Sequence, residues 1–274
     1  MRLASWNIEN LAPWLGPGSL RDLRGRVVAL GEPDVLVLQE VKLRPGDREL
    51  VAQMHEALPG YTCHAALADD PKNVTYRGGR AYGVATYTRD GLGKIAAQAP
   101  AWDREGRVLV TVVAGLAIVN LYAVNGTTKP YFDPDTGEEH GTRHTHKRFV
   151  QDQVFALAEQ LREFGGVIVA GDWNVSRTVL DVHPRLRSQE PHATHRAELN
   201  AHLERTGFVD AYRHLHPEAK AYSWYAKKYA LDAARVDYIV VSPDLVPRLR
   251  AATVEPRPAR ASGSDHAAIA IELA

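Results

Sequence analysis

The 274-residue chain has a single cysteine, Cys63, no excess of either charge, no long hydrophobic run and no internal repeat. A lone thiol cannot close an internal disulfide, and nothing around Cys63 has metal-ligand spacing. That excludes a disulfide scaffold and points to a reducing, intracellular compartment, with the thiol buried and inert. The formal charge is zero, with 33 basic and 33 acidic residues, so any polyanion must be met by a local patch rather than by the field of the whole molecule. The longest apolar run, Val108 to Leu121, falls short of the roughly 20 residues of a membrane span. It is also broken at Ala114-Gly115, which suits a hairpin between two buried strands. Met1 to Ile8 lack the basic stretch and apolar core of a secretory signal and are expected to form a strand. With no linker or low-complexity tract, residues 1–274 are expected to form one domain of a cytoplasmic, monomeric protein without a membrane partner.

What is present is an ordinary globular composition, 45% hydrophobic and 24% charged, sufficient for a sizeable core. Apolar runs predict strands at Leu3 to Asn7, Val35 to Gln39, Tyr61 to Ala65, Tyr82 to Tyr87, Val108 to Val113, Leu116 to Tyr122, Val167 to Ala170, Tyr238 to Val241 and Ala267 to Ile271. Helical spacing joins Leu20, Leu23, Val27 and Leu30, and again Val150, Val154, Leu157, Leu161 and Phe164, with Gly165-Gly166 ending the second helix. A third helix is expected from Thr194 to Arg205, capped by Thr194, with Leu199 and Leu203 facing inward. Asn125 to Lys147, rich in glycine and proline, is expected to be a functional loop or a solvated insertion. Its His140, His144 and His146 have no diagnostic metal spacing.

Polar residues recur just after buried strands: Asn7 and Glu9 after Leu3 to Trp6, Glu40 after Val35 to Gln39, and Asp172 with Asn174 after Val167 to Gly171. Asp237 enters another strand, and Ser264-Asp265-His266 precedes the last. One acid after a strand is ordinarily a turn former or a helix cap. Several at the edges of one sheet system would repel one another unless a cation offsets them. Oxygen donors favour magnesium, with manganese possible, over zinc.

Ser5-Trp6-Asn7-Ile8-Glu9-Asn10-Leu11, Leu38-Gln39-Glu40-Val41-Lys42, Tyr122-Ala123-Val124-Asn125, Gly171-Asp172-Trp173-Asn174-Val175, Arg235-Val236-Asp237-Tyr238 and Ser264-Asp265-His266 follow one another along nearly the whole chain. In order and context they resemble the motifs of the endonuclease/exonuclease/phosphatase superfamily. Leu180-Asp181-Val182, Tyr212-Arg213-His214-Leu215-His216-Pro217 and Tyr222-Ser223-Trp224 look most like its exonuclease III and apurinic/apyrimidinic endonuclease branch.

The resemblance implies a four-layer α/β sandwich of two packed mixed sheets with helices outside, and a metal-dependent hydrolase acting on DNA in repair. Glu40 would be the main metal ligand, with Asn7 beside it, Asp265 supporting the site and Glu9 where the family often has another acid. Asp172 would orient or deprotonate the attacking water. Asn174 and His266 would donate to the phosphate, Asp237 would keep His266 charged and oriented, and Tyr122 would bind phosphate or assist the leaving group. The expected partner is duplex DNA with abasic sites or 3′ ends.

The match weakens at the substrate. Family members that cut at abasic sites commonly carry an aromatic residue just before Arg-x-Asp-Tyr, where this chain has Ala234; Trp224 and Val236 are left to wall a pocket. Arg143, Lys147, Arg148, Arg177, Lys72, Arg77 and Arg80 are expected in or beside loops, where they would suit a duplex backbone. The same fold and metal site also serve phosphoesterases of RNA, nucleotides or small phosphorylated molecules, and that alternative stays open.

Overall fold

The computed structural model describes every residue except 17, 71, 74–81, 228–231 and 257–262, so Arg77 and Arg80 lie outside the described residues. In chain order the strands are β1 (Arg2–Asn7), β2 (Val35–Gln39), β3 (Tyr61–Ala66), β4 (Val84–Arg89), β5 (Ala96–Gln98), β6 (Val108–Val113), β7 (Leu116–Tyr122), β8 (Pro130–Phe132), β9 (Glu139–Thr142), β10 (Gly166–Asp172), β11 (Val209–Asp210), β12 (Trp224–Tyr225), β13 (Ala233–Ala234), β14 (Asp237–Val241), β15 (Leu249–Val254) and β16 (Ile269–Leu273). The helices are α1 (Leu23–Ala29), α2 (Arg48–Glu56), α3 (Arg143–Leu161), α4 (His192–Thr206) and α5 (Ala211–Leu215). One 6-stranded sheet has the order β15-β16-β1-β2-β4-β3, and the other β11-β14-β10-β7-β6-β5.

Side-chain alternation builds the layers. Leu3, Val35 and Val37 face Ile118, Ile168, Ala170 and Ile239 of the opposite sheet, while Ala4, Leu36 and Leu38 turn outward onto Leu23 and Val27 of α1 and Met54 of α2. Val167 and Val169 face out in the same way onto Val154, Phe155 and Leu199 of α3 and α4. The result is the four-layer α/β sandwich expected from the sequence. The central strands pair in parallel, β1 with β2 and β7 with β10, and so end at one rim; antiparallel β14 and β16 begin there. Towards that rim the space between the sheets turns polar. Gln39 Nε2 donates to Asn120 Oδ1 at 2.8 Å, and Asn120 Nδ2 donates to the Ala85 carbonyl at 2.9 Å.

The hairpin at Ala114-Gly115 forms as expected, with φ of 51° and 75° at the two turn residues and Val113 paired to Leu116. Other expectations need correction. Leu20 is 88% exposed because α1 starts later, with Asp22 as its N-cap accepting from the Gly25 amide at 2.7 Å. Phe164 is 80% exposed because α3 ends at Leu161 and a short 3-10 turn rotates the stripe away. Thr194 caps nothing. Helix α4 begins at His192, and the Thr194 hydroxyl donates to Glu190 at 2.9 Å. β4 starts at Val84 rather than Tyr82, and β16 runs Ile269–Leu273. The segment expected to be a loop contains the β8–β9 hairpin and then the first turn of α3, capped by Thr142.

Candidate active site

The rim where the central strands end is a cleft of about 550 Å³ lined by Glu9, Glu40, Tyr122, Asp172, Asn174, Trp224, Asp265 and His266. Asn7, the last residue of β1, ties the two sheets together: its Nδ2 donates to Glu40 Oε1 at 3.1 Å and to Asp172 Oδ2 at 3.0 Å. Its Oδ1 accepts from the Glu9 amide at 3.0 Å, which fixes Glu9 at the cleft mouth. Glu9 and Glu40 both adopt positive φ, 63° and 55°, turning the chain as it leaves each strand.

Glu40 also accepts from Tyr122 Oη at 2.7 Å, and its Oε2 lies 2.6 Å from Lys42 Nζ. Burial alone raises this carboxyl, but the Lys42 ammonium and the bonds from Tyr122 and Asn7 outweigh it and hold the group below its ordinary value. Burial and the Glu40 charge push the Tyr122 phenol well above its ordinary value, so it remains a donor. Lys42 belongs to the Leu38-Gln39-Glu40-Val41-Lys42 motif, but its pairing with Glu40 was not foreseen. Its position two residues beyond Glu40 was the only signal.

Across the cleft, Asp172 accepts from the Asn174 amide at 2.8 Å and from Asn174 Nδ2 at 3.3 Å, while that Nδ2 also donates to the Ala123 carbonyl at 2.9 Å. Burial, together with the charge of Asp237, pushes Asp172 up to about 7. His266 Nδ1 donates to Asp237 Oδ2 at 2.9 Å. Burial would lower this imidazole, but Asp237 outweighs it and raises His266 to about 10, so the ring is an imidazolium at neutral pH. Ser264 fixes its backbone, accepting from the His266 amide at 3.0 Å and donating to the Asn7 carbonyl at 2.6 Å. Ser223 Oγ accepts from the Val236 and Asp237 amides, both at 3.0 Å, a second anchor not foreseen from sequence.

Asp172, Asp237 and His266 bring ligand atoms within 4.8 Å of one another, close enough to share a metal ion. The hydrogen that His266 Nδ1 gives to Asp237 leaves no lone pair on that nitrogen, which argues for an ion pair there. Glu40, Glu9 and Asp265 instead present carboxylates to the cleft, the oxygen donors that suit a hard divalent cation, while Asn7 lies fully buried behind them with its Oδ1 accepting from the Glu9 amide.

The expected substrate contacts divide. Trp224 reaches the cleft, bridging to His266 and pairing with Ala234 across β12–β13. Arg143 and Lys147 are not in a loop; both are buried in α3. Arg143 pairs with buried Glu105, itself bound to buried Arg107, and Lys147 Nζ donates to the carbonyls of Val124 and Asn174 at 3.0 Å. Arg177 is held by Asp210 and Asn200, both at 3.1 Å, and exposed Arg148 by Glu198 at 2.6 Å. Lys72 donates to the Gly137 carbonyl at 2.7 Å. Of the three histidines, His146 stacks on Tyr131 and His144 meets His195 at 3.2 Å.

A model of the Endonuclease/Exonuclease/phosphatase family matches residues 4–266. The chain belongs to this family. An exodeoxyribonuclease of Streptococcus pneumoniae is 25% identical over 100% of this chain and 99% of its own length. A DNA-(apurinic or apyrimidinic site) endonuclease of Dictyostelium discoideum is 27% identical over 99% of this chain and 70% of its own. Recombination repair protein 1 of Drosophila melanogaster is 26% identical over 99% of this chain, which spans 37% of that protein. Two solved structures share the fold. An AP endonuclease from Leishmania major superposes with a TM-score of 0.78 at 23% identity, covering 99% of this chain and 87% of that one. A 3′ phosphatase from Neisseria, bound to product DNA hairpin, gives 0.75 at 23% identity, covering 100% and 99%.

Proposed function

We propose that this family member hydrolyses the DNA backbone in base-excision repair, as an abasic-site endonuclease, a 3′-5′ exonuclease or a 3′-phosphatase, with magnesium as cofactor. It acts as a one-domain intracellular monomer. The observation that carries this reading is the convergence of Glu40, Tyr122, Asp172, Asn174 and the Asp237–His266 pair on one cleft. The exodeoxyribonuclease and apurinic/apyrimidinic endonuclease relatives support DNA as the substrate.

A phosphodiester resists attack because its oxygens repel a nucleophile and its leaving alkoxide is poor, so the site must offset charge and position water. Magnesium held by Glu40 with Asn7, Glu9 and Asp265 would supply charge neutralisation at the phosphate. The remaining work falls to side chains. Asp172, kept in place by Asn7 and Asn174, accepts the proton of the attacking water; its raised affinity for a proton at neutral pH suits a base that must take and later release one. The His266 imidazolium donates from Nε2 to a phosphate oxygen and stabilises the charge that builds there. Tyr122 holds Glu40 in position.

A second reading, a phosphoesterase of RNA, nucleotides or small phosphorylated molecules, is favoured by the commitment of Arg143, Lys147 and Arg177 to internal partners. Incubation with magnesium and, separately, abasic duplex, recessed 3′ ends, 3′-phosphorylated duplex, single-stranded RNA and a simple phosphomonoester decides between them. Cleavage of the duplex substrates is expected. Turnover of only the RNA or the monoester would move the assignment to the second reading.

A further inference from the structure

The acids of the cleft carry two lysine partners that differ in burial. Lys42, on Glu40, has a side chain only 7% exposed, and its amide is bound to the Tyr82 carbonyl at 2.5 Å. Lys227 hydrogen-bonds Glu9 and stands 3.9 Å from Asp265 Oδ2, yet its side chain is 59% exposed. Removing Lys42 would leave a buried carboxylate unpaired, which is costly. The pair between Lys227 and Glu9 is exposed, and an exposed ion pair is worth about 0–1 kcal/mol.

The backbone that carries the acids beneath Lys227 is fixed. The Glu9 amide donates to Asn7 Oδ1 at 3.0 Å, and the Asp265 carbonyl accepts from the Tyr225 amide at 3.0 Å, two residues before Lys227. Two carboxylates on fixed backbone thus converge on an exposed ammonium, with the His266 ring 4.0 Å from Asp265 on the inner side. A divalent cation placed there offers twice the charge and would repel the ammonium it replaces.

We propose that Lys227 is a displaceable counter-ion: it holds Glu9 and Asp265 in the cation-free protein, is expelled when a divalent cation binds, and then turns to a phosphate of the substrate. The inference rests on the oxygen-donor site and polyanionic substrate proposed above. It makes Lys227 a competitor of the metal when substrate is absent and a phosphate contact only when metal is present, so the two ligands are coupled through one side chain.

The test measures Mn²⁺ binding by the paramagnetic resonance of free ion, and binding of a phosphorothioate duplex over a salt series with and without Mn²⁺. Wild type, Lys227→Gln, Lys227→Arg and Glu40→Gln are compared as full chains. Lys227→Gln is expected to bind Mn²⁺ about 2- to 5-fold more tightly, the range an exposed pair is worth, while Lys227→Arg stays near wild type. With Mn²⁺ present, Lys227→Gln should flatten the salt dependence of duplex binding by about one unit, and without Mn²⁺ it should leave the slope unchanged. Mn²⁺ affinity that falls with Glu40→Gln but ignores Lys227→Gln would overturn the role of the lysine alone. So would a slope change that does not require Mn²⁺. A wild-type protein that binds no Mn²⁺ would overturn the metal site and the inference together.

Discussion

At the rim of the two sheets the charged side chains turn toward the cleft, whereas in the segment from Asn125 to Arg148 Arg143 and Lys147 turn into the protein. Glu40, Asp172 and His266 line open space, each positioned by a strand end and by neighbours such as Asn7 and Asp237. Arg143 and Lys147, expected to meet a phosphate backbone, instead satisfy Glu105 and a set of backbone carbonyls. Residue type in a loop-like stretch says little about direction. A position at the end of a strand fixes direction, because alternation and pairing leave the side chain one place to go.

The largest effect should come from the rim. His266→Asn and Asp172→Asn are each expected to lower turnover at least about 100-fold, as when a transition-state donor or a positioned base is lost; His266→Asn should also cost about 3 kcal/mol of stability, since it leaves buried Asp237 without its cation. Steady-state rates and a melting curve check this; an unchanged rate in either variant would leave that residue only a structural role. Asp237→Asn removes the charge that keeps His266 protonated and that helps to raise Asp172, so both limbs of the rate profile should move to lower pH. A rate profile with the same alkaline limb as wild type would contradict the pairing.

The second region should respond in the opposite currency. Arg143→Met leaves buried Glu105 short of a partner and is expected to cost about 3 kcal/mol of stability. The salt dependence of duplex binding should remain as in wild type. A stable variant with a flatter salt dependence would return Arg143 to the substrate surface. Glu105 also ties this region to pH. Burial would raise it, but Arg107, His146 and Arg143 outweigh that and hold it well below its ordinary 4.5. A depressed carboxyl contributes stability that is present above about 4.5 and lost as pH falls through the lower folded value. Glu105→Gln should therefore be less stable near neutrality and show a shallower loss of stability on acidification, measured by denaturant unfolding across pH. The smallest effect belongs to the surface: Arg148→Gln, breaking the exposed pair with Glu198, should change stability by no more than about 1 kcal/mol.

These contrasts mirror what was legible in the sequence. The layers followed from apolar periodicity in Val35 to Gln39 and Val167 to Ala170, where alternate residues serve the two cores. The rim residues were legible because each follows or precedes such a strand and recurs in motif order. Boundaries failed where a polar cap or a turn decided them. Asp22, not the apolar spacing through Leu20, starts α1, and Thr194 lost α4 to a helix that begins two residues earlier. The destinations of Arg143 and Lys147 were illegible because their partners, Glu105 and the Val124 carbonyl, are brought in by tertiary packing. Lys42 and Ser223 stand inside the motifs, but their roles depend on Glu40 and on the Val236 and Asp237 amides meeting them in the fold, and nothing around Lys227 sets it apart from a surface lysine.

On the proposed function, this cleft hydrolyses a DNA backbone with a divalent cation. The most direct measurement is single-turnover cleavage of a duplex carrying both an abasic site and a recessed 3′ end, with magnesium or EDTA, using wild type and Asp172→Asn. Magnesium-dependent cutting at either feature, abolished by EDTA, restored by added magnesium and at least about 100-fold slower in Asp172→Asn, is the expected result. Equal cutting in EDTA, or an intact duplex under every condition beside a well-folded wild-type protein, would contradict it.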